Sequence, residues 1–307
     1  MQTPTALAPV VIAGGTGTLG LATAQHLKSQ GYHVVLLTRS LKPNLSFEQL
    51  LWDGKSVDES WGARLAGSIL INLAGELVDR LPTKKNIRLL KSSRTEPTLA
   101  LVTASERFGR PKLWLQASTL AIYGDAGDRI LDEGAKPANG PEQMAGVAKA
   151  WEAAVTQTAA DRVVWLRTAV VLQSHTPALA RLTKITRRFL GGTVSHGRQW
   201  VSWIHITDYL RAFDFVIAGD DISGIIHVCS PKPITNRALM TALRKALHRP
   251  WMPPTPTVMI KLGAWLLFKT DPALALTGRR AVPKVLNDAG FEFQFSDIDQ
   301  ALRDLCS

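Results

Sequence analysis

The sequence predicts an α/β fold built on a parallel sheet, and three observations carry this prediction. An apolar strand at residues 10–13 leads into spaced glycines and a helical pattern. A second buried-strand pattern follows at residues 32–38, after Gly31 ends that helix. Further strand patterns alternate with helical ones at residues 68–74, 112–118, 162–172 and 224–229. This alternation is typical of a Rossmann-type, doubly wound parallel sheet with helices on both faces.

The glycine turn after the first strand has the form of a dinucleotide-binding motif. Gly14 or Gly15 allows the sharp turn. Gly17 lets backbone N–H groups approach a pyrophosphate, and Gly20 lets helix and strand pack closely. The phosphates would lie at a helix N-terminus, which favours anions. The alternative is an ordinary glycine turn without a ligand. The expected nucleotide-binding residues are Gly14, Gly15, Thr16, Gly17, Thr18, Leu19 and Gly20.

The end of the second strand indicates which cofactor is bound. NAD-selective folds place a carboxylate here, where it accepts a hydrogen bond from the ribose 2′-hydroxyl. This chain has Thr38, Arg39 and Ser40 instead, so no carboxylate repels a phosphate. A guanidinium offers permanent charge and paired donors to a 2′-phosphate. We therefore expect NADP(H); the alternative is that Arg39 is only a solvated residue after a strand.

The ends of three other predicted strands extend this site. In a parallel sheet the ligand lies at the carboxyl ends of the strands, where the strand order reverses. The residues near these ends are Asn72, Leu73, Ala74, Gly75, Ser118, Thr119, Arg167 and Thr168. We expect them to form one site with the glycine turn.

Length and cysteine content bound the class of protein. The 307 residues suffice for a full α/β core, in one large domain or two unequal ones. Cys229 and Cys306 provide no disulfide framework and no metal-ligand spacing, which favours a reducing compartment and argues against a structural zinc site. The first residues lack the basic region of a signal peptide, so we expect a cytoplasmic protein.

The regular alternation of strands and helices does not continue to the end of the chain. Residues 1–172 form the predicted dinucleotide-binding domain, and residues 208–248 return to it. Residues 173–207 and 249–307 form a smaller C-terminal region on the substrate side. The apolar stretch at residues 258–268 is too short to span a bilayer, and it predicts a buried or surface-docked helix.

The net charge of +11 leaves several partners open. A basic helix face is predicted from four cations at helical spacings: Arg181, Lys184, Arg187 and Arg188. This face is either solvated or a contact for an anionic ligand or partner. An interaction protein that recruits nucleic acid or membrane is an alternative to an enzyme, although the sequence contains no recognisable nucleic-acid module. The expected state is a monomer or a homodimer.

Several segments together resemble a known family. They are the glycine turn, residues 71–76 (INLAGE), Ser93 and Arg94, and residues 117–124 (ASTLAIYG), 151–154 (WEAA), 166–172 (LRTAVVL), 197–208 (GRQWVSWIHITD) and 289–295 (AGFEFQF). The chain resembles the extended short-chain dehydrogenase/reductases, and more narrowly their atypical epimerase-like branch with a small C-terminal domain. The resemblance spans nearly the whole chain and implies that Arg94 belongs to the cofactor site.

The resemblance also implies a catalytic set, of which this chain keeps one part. In ordinary members a Ser or Thr after the fifth strand orients the substrate, and Ser118 and Thr119 match it. A Tyr-x-x-x-Lys pair on the next helix supplies the proton, because the lysine lowers the tyrosine pKa. Met144 and Ala148 stand at those two positions, and the sequence contains no Tyr-x-x-x-Lys. Tyr123 is either a substitute acid or a structural residue of the cofactor wall.

These residues favour an NADP(H)-binding atypical short-chain dehydrogenase/reductase that reduces or isomerises a small or nucleotide-linked substrate. Methionine has no exchangeable proton, so any hydride chemistry needs another acid or water. The alternatives are a non-catalytic NADP(H) sensor or scaffold and the basic-surface interaction protein.

Overall fold

Strands and helices alternate along residues 7–174 and 176–306, the part of the chain that this computed structural model describes. The strands are β1 (Val10–Ala13), β2 (Val34–Thr38), β3 (Glu48–Leu51), β4 (Ile69–Asn72), β5 (Leu113–Thr119), β6 (Ile130–Leu131), β7 (Arg162–Thr168), β8 (Val170–Leu172), β9 (Trp200–Val201), β10 (Trp203–His205), β11 (Gly224–Val228), β12 (Ile234–Thr235) and β13 (Arg280–Ala281). The helices are α1 (Thr18–Ser29), α2 (Glu59–Gly62), α3 (Lys84–Phe108), α4 (Val147–Ala153), α5 (Pro177–Arg187), α6 (Ile206–Ala218), α7 (Asn236–Ala246), α8 (Thr257–Gly263), α9 (Ala273–Leu276), α10 (Lys284–Asp288) and α11 (Ile298–Cys306). Two π-helical segments extend helices: Glu142–Gly146 leads into α4, and Ala264–Phe268 follows α8.

Seven of the described strands form one parallel sheet in the order β11-β7-β5-β4-β1-β2-β3. Val10 of β1 lies opposite both Val34 of β2 and Ile69 of β4. The chain therefore extends the sheet first to one side of β1 and then to the other, and the order reverses between β1 and β4. This topology confirms the predicted doubly wound α/β fold and marks the strand ends beside β1 as the place for a ligand.

Each face of the sheet carries its own core, because successive residues of a strand point to opposite sides. Val10 and Ile12 are fully buried in a cluster with residues of α1 and α6. Val11 and Ala13 are equally buried on the opposite face, against residues of α3. Two buried faces explain the continuous apolar run of β1.

A further core lies in the C-terminal half, where α5, α7 and α11 pack with β8 and β10. Helix α7, from the segment expected to return to the main domain, belongs to this core. The last segment also reaches the main sheet, where Leu286 and Phe291 join the core that contains α6. Asp208 of α6 holds this last segment in place, because its carboxylate accepts hydrogen bonds from the N–H groups of Gln294 and Phe295 at 2.8 Å.

The strand predicted at residues 162–172 is two strands. β7 ends at Thr168, and β8 leaves the main sheet to pair with β10. An uninterrupted apolar run does not reveal such a change of direction. Helix α8 and its π-helical extension, predicted as buried or surface-docked, lie at the surface with apolar side chains exposed. No helix among the described residues is long and apolar enough to cross a membrane.

Candidate nucleotide site and strand-end network

Close backbone contacts shape the glycine turn between β1 and α1. Gly14 has a φ of +77°, and a Cβ there would lie 2.9 Å from the carbonyl carbon of Leu73. A Cβ on Gly20 would lie 2.4 Å from the carbonyl oxygen of Gly14. Among the described residues, a Cβ on Gly17 would meet just that oxygen, at 3.4 Å. Gly14 and Gly20 therefore serve the packing of the turn, while Gly17 keeps its outer surface open.

The first turn of α1 suits an anion. Gly17 and Thr18 are exposed, Leu19 is half-buried, and no side chain caps the helix or adds a negative charge. The first N–H groups of a helix lack partners within the helix, and the helix dipole adds partial positive charge there. A phosphate at this position would accept hydrogen bonds from these N–H groups and would interact favourably with the helix dipole.

Strand β2 ends against the same turn. A Cβ on Gly15 would lie 2.6 Å from the Leu36 side chain, so the turn packs tightly on β2. The hydroxyls of Thr16 and Thr38 lie 3.2 Å apart. Thr38 also accepts a hydrogen bond from the exposed backbone N–H of Ser40 at 3.3 Å. The predicted residues of the glycine turn and of the β2 end are therefore brought together.

Arg39 extends from the end of β2 and is 75% exposed. Its Nη2 lies 3.4 Å from Glu76 Oε1, while Arg80 Nη2 lies 2.9 Å from Glu76 Oε2. One carboxylate, which was not predicted, thus lies between two guanidinium groups. A surface groove of about 380 Å³ opens beside Arg39, with Trp52 and Asp53 in its wall.

A buried amide fixes the loop after β4. Asn72 is fully buried and donates hydrogen bonds to Thr98 Oγ1 and Gln116 Oε1, both at 2.9 Å. Its own oxygen accepts from the N–H of Ala74 at 3.1 Å. Asn72 therefore sets the shape of the loop, and the backbone of Leu73 and Ala74 forms the contact with the glycine turn.

Arg94 of α3 supports this loop. A Cβ on Gly75 would lie 3.1 Å from the Arg94 Cγ, and Arg94 Nη2 donates to the carbonyl oxygen of Glu76 at 2.8 Å. The guanidinium lies over the Trp151 ring at 5.0 Å. Burial lowers the pKa of Arg94 to about 10, with the charge of Glu76 opposing. Arg94 thus remains a cation at neutral pH and stabilises the loop beside the glycine turn.

The end of β5 presents two hydroxyls to different surroundings. Ser118 is buried, and its Oγ donates to Glu152 Oε1 of α4 at 2.5 Å. Thr119 is half-buried, and its Oγ accepts from the N–H of Ala121 at 3.2 Å. That bond uses a lone pair, so the Thr119 O–H remains a donor.

Arg167, predicted at the end of β7, lies in a buried hydrogen-bond network. Its Nε and Nη2 donate to the two carboxylate oxygens of Glu152 at 2.9 and 2.8 Å. Its Nη1 donates to the Tyr123 hydroxyl at 2.7 Å, and that hydroxyl lies 2.7 Å from His227 Nε2. His227 Nδ1 lies 3.0 Å from the carbonyl oxygen of Val282. The strand-end network consists of Ser118, Glu152, Arg167, Tyr123 and His227.

These contacts determine which atoms of the strand-end network carry protons. A carbonyl oxygen can only accept, so Nδ1 of His227 carries the proton and Nε2 accepts from Tyr123. Burial lowers the pKa of His227 to about 4, with the hydrogen bond to Val282 opposing. Burial raises the pKa of Tyr123 against the effect of Arg167. The Tyr123 O–H is thus neutral and engaged on both sides, which favours a structural role over that of a substitute acid.

Arg167 remains charged within this network. Burial alone would lower its pKa, but the hydrogen bonds and charge of Glu152 outweigh burial and raise it. The guanidinium is therefore a cation paired in bidentate geometry with Glu152.

Met144 and Ala148, where the family resemblance leads us to expect the Tyr-x-x-x-Lys pair, are both buried. Arg279 Nη2 lies 3.0 Å from the sulfur of Met144 and 3.1 Å from Thr277 Oγ1. The Nε of Arg279 is buried without a hydrogen-bond partner in the described chain. Burial lowers the pKa of Arg279, with the charge of Asp125 opposing. A guanidinium from the C-terminal region therefore lies beside Met144.

Glu152, His227 and Arg279 were not among the residues predicted from the sequence. A signal existed for Glu152, because it lies within the WEAA segment that carried part of the resemblance. No local signal marks the other two. His227 bonds Tyr123 across 104 positions, and Arg279 reaches Met144 across 135.

Known proteins resemble the chain over nearly its whole length. Residues 10–229 match the NAD dependent epimerase/dehydratase family, and residues 255–305 match a domain of unknown function, DUF1731. An epimerase family protein of Mycobacterium leprae is 33% identical over 300 residues, which cover 96% of this chain and 94% of that protein. The epimerase family protein YfhF of Bacillus subtilis is 29% identical over 305 residues, which cover 96% of this chain and 97% of that protein.

A solved structure agrees with these matches. The human epimerase family protein SDR39U1, crystallised with NADPH, superposes with a TM-score of 0.85 at 25% identity, covering 97% of this chain and 99% of the human one. The resemblance to an atypical, epimerase-like branch with a small C-terminal domain is confirmed. The chain belongs to the NAD dependent epimerase/dehydratase family and carries a DUF1731 domain after its nucleotide-binding fold.

Proposed function

We propose that this chain binds NADP(H) at the glycine turn and slowly reduces or isomerises a small or nucleotide-linked substrate. One observation carries the proposal: Met144, where the family resemblance leads one to expect the catalytic tyrosine, is buried beside the Arg279 guanidinium. The proposal is that the glycine turn holds the cofactor while the usual proton donor is replaced.

The residues around the glycine turn fit NADP(H). The open surface at Gly17 leaves room for a pyrophosphate at the N-terminus of α1. Arg39 is exposed, and its contact with Glu76 is long at 3.4 Å, so its donors are available to a 2′-phosphate. The adjoining groove, with Trp52 in its wall, supports binding of the adenosine half. Crystallisation of human SDR39U1 with NADPH supports the same cofactor here.

The proposed reaction depends on which side chains can hydrogen-bond to the substrate oxygen and which group can donate a proton. NADPH, when bound, supplies a hydride. Thr119 retains an O–H donor and orients the substrate oxygen, while Arg279 stabilises negative charge on it. Met144 cannot donate a proton, so water serves as the acid. Loss of a tuned acid costs about 10² to 10⁴ in rate.

A second function is favoured by the strand-end network. The hydroxyls of Ser118 and Tyr123 are engaged by Glu152, Arg167 and His227, so these residues position the strand ends. A chain whose polar groups are committed in this way can bind NADP(H) as a sensor or scaffold without turnover.

The replacement of Met144 by tyrosine tests the proposed function. Met144→Tyr places a phenol beside the Arg279 cation, which lowers the phenol pKa as the family's lysine does. We expect single-turnover oxidation of NADPH with a carbonyl panel to rise about tenfold or more over the parent chain. Ala148→Lys is left out, because Ala148 packs in an apolar cluster that would bury the ammonium.

Two matched variants separate the causes of such a gain. Met144→Phe adds the ring without the hydroxyl and should show none. Met144→Tyr with Arg279→Met should lose most of the gain, because the cation is gone. Rapid turnover by the parent that Thr119→Ala leaves unchanged would contradict the proposal. NADPH binding without turnover in the parent and in Met144→Tyr would support the sensor instead.

A further inference from the structure

Two segments of this chain carry cations without any acidic residue. Residues 162–207 and 222–270 contain fourteen lysines and arginines and no aspartate or glutamate. Their charge exceeds the net charge of the whole chain, +11, so the remainder is slightly acidic. The cations Lys184, Arg187 and Arg188, on and just after α5, are exposed. An anionic partner would therefore be attracted to this part of the molecule in particular.

Helix α8 and its π-helical extension add large apolar side chains at the surface. Trp265, Leu266 and Leu267 are 62%, 59% and 79% exposed. Val258 and Leu262 are also more than half exposed, and their spacing places them on one helix face. Exposed Lys261 and Lys269 lie within and just after this stretch. Large apolar side chains exposed together in this way are typical of a surface that contacts a partner.

The apolar and cationic groups meet in space. The Arg181 guanidinium of α5 lies 5.1 Å from the ring centre of Phe268, at the end of the extension. Phe189 and Leu190, directly after Arg188, are more than half exposed as well. The apolar–basic surface comprises Lys184, Arg187, Arg188, Phe189, Leu190, Val258, Lys261, Leu262, Trp265, Leu266, Leu267, Phe268 and Lys269.

The charge of this surface discriminates among partners. A symmetric dimer through it would bring the cations of two copies into one interface, where like charges repel. Nucleic acid would attract the cations, but most of its contacts are hydrogen bonds to phosphate and sugar, which Leu266 and Leu267 cannot make. An anionic lipid bilayer suits both the cationic and the apolar side chains, because its headgroups attract Lys and Arg and its acyl boundary accommodates Leu and Trp.

We propose that the apolar–basic surface docks on an anionic phospholipid membrane. Helix α8 and its extension lie in the plane of the interface with Trp265, Leu266 and Leu267 inserted. The exposed lysines and arginines contact the headgroups. The chain thereby binds the membrane from one side, in agreement with the absence of a spanning helix in its described residues.

Flotation of the full chain with lipid vesicles tests this. We expect it to float with vesicles of phosphatidylcholine and phosphatidylserine, to stay behind with phosphatidylcholine alone, and to be released by salt. Leu266→Glu with Leu267→Glu should abolish flotation. Arg187→Glu with Arg188→Glu should weaken vesicle binding about thirtyfold or more, since each surface cation contributes about a factor of five.

Matched controls lie on α3. Leu89→Glu with Leu99→Glu changes two exposed leucines, and Lys84→Glu with Lys85→Glu changes two exposed cations. Both should float like the parent. All variants should keep the parent's melting temperature, because every changed side chain is at the surface. Failure of the parent to float, equal flotation with neutral vesicles, or equal loss in the α3 controls would overturn the proposal. The proposal would also be overturned if the parent chain did not float and instead formed a dimer that Leu266→Glu dissociates.

Discussion

Arg39 illustrates how one side chain can set the choice between two cofactors. It is exposed at the end of β2, and its contact with Glu76 is longer than the contact that Arg80 makes with the same carboxylate. Two cations thus share one anion, which leaves positive charge for a 2′-phosphate. The negative charge of Glu76 would repel that phosphate. Arg39 should therefore raise the affinity for NADPH, and Glu76 should lower it.

We predict that NADPH binds the parent chain more tightly than NADH. Arg39→Asp should weaken NADPH binding about tenfold to a hundredfold by removing a charge-assisted hydrogen bond, with little effect on NADH. Glu76→Gln should strengthen NADPH binding. Arg64→Asp, at an exposed arginine paired with Glu48, is the matched control and should change neither. Quenching of tryptophan fluorescence measures each affinity, and equal affinities in the parent would contradict the assignment.

How far the site could be predicted depended on the distance between partners along the chain. The glycine turn and Arg39 directly follow predicted strands, so local patterns suffice to place them at one edge of the sheet. Arg279 contacts Met144 from 135 positions away, and no pattern in the sequence relates the two. The burial of Tyr123 likewise depends on His227, a residue of a distant strand.

At the scale of elements, the turn between β1 and α1 combines glycines that serve packing with one whose surface is open. Gly20 lies where a Cβ would meet the carbonyl oxygen of Gly14, at the contact between helix and turn. Gly17 has an ordinary φ of −74° and an open outer surface. The two positions should therefore respond differently to a side chain.

We predict that Gly17→Val leaves the melting temperature close to that of the parent and removes detectable NADPH and NADH binding, because the side chain occupies the pyrophosphate position. Gly20→Ala should destabilise the fold by about 1 to 3 kcal/mol, because the Cβ overpacks the turn. Thermal denaturation and fluorescence titration measure the two effects. Undiminished nucleotide affinity in folded Gly17→Val would mean that the turn is only structural.

Elements with a clear period were predicted best. The basic helix predicted from Arg181, Lys184, Arg187 and Arg188 corresponds to α5, which ends at Arg187. Helix α3 lies between the strand patterns at residues 68–74 and 112–118, where a helical pattern was predicted, and it continues through Pro97, a residue type that normally ends a helix. Strand β3 was missed because its sequence, Glu-Gln-Leu-Leu, shows no alternation of apolar and polar residues.

At the scale of the whole molecule, the strand-end network connects parts of the chain that are far apart in sequence. It joins β5, α4, β7 and β11, and through His227 it reaches the backbone of Val282 in the DUF1731 region. His227 is held neutral, with its pKa lowered to about 4 by burial. The stability of the fold is therefore linked to the proton of this histidine.

We predict an acid-sensitive fold. Between pH about 6.5 and 4, the unfolded chain protonates His227 while the folded chain does not, so stability falls as the pH decreases. His227 should contribute a loss of about 2 kcal/mol between neutral pH and pH about 5. His227→Gln keeps an acceptor for Tyr123 and should reduce the loss by that amount in urea titrations. His33→Gln, at an exposed histidine, is the control and should leave the loss of stability as it is in the parent. An unchanged loss of stability in His227→Gln would contradict the prediction.

The central position of β1 has a consequence for synthesis on the ribosome. Its partner β2 follows within about 25 residues, but Val10 also pairs with Ile69 of β4. At a translation rate of roughly 5 to 20 residues per second, the apolar strand waits about 3 to 12 seconds for that neighbour. During this interval Val10, Val11 and Ile12 have one free edge, which is open to pairing with other nascent chains. Helix α1 covers one face of β1, but this edge stays open until β4 pairs with it.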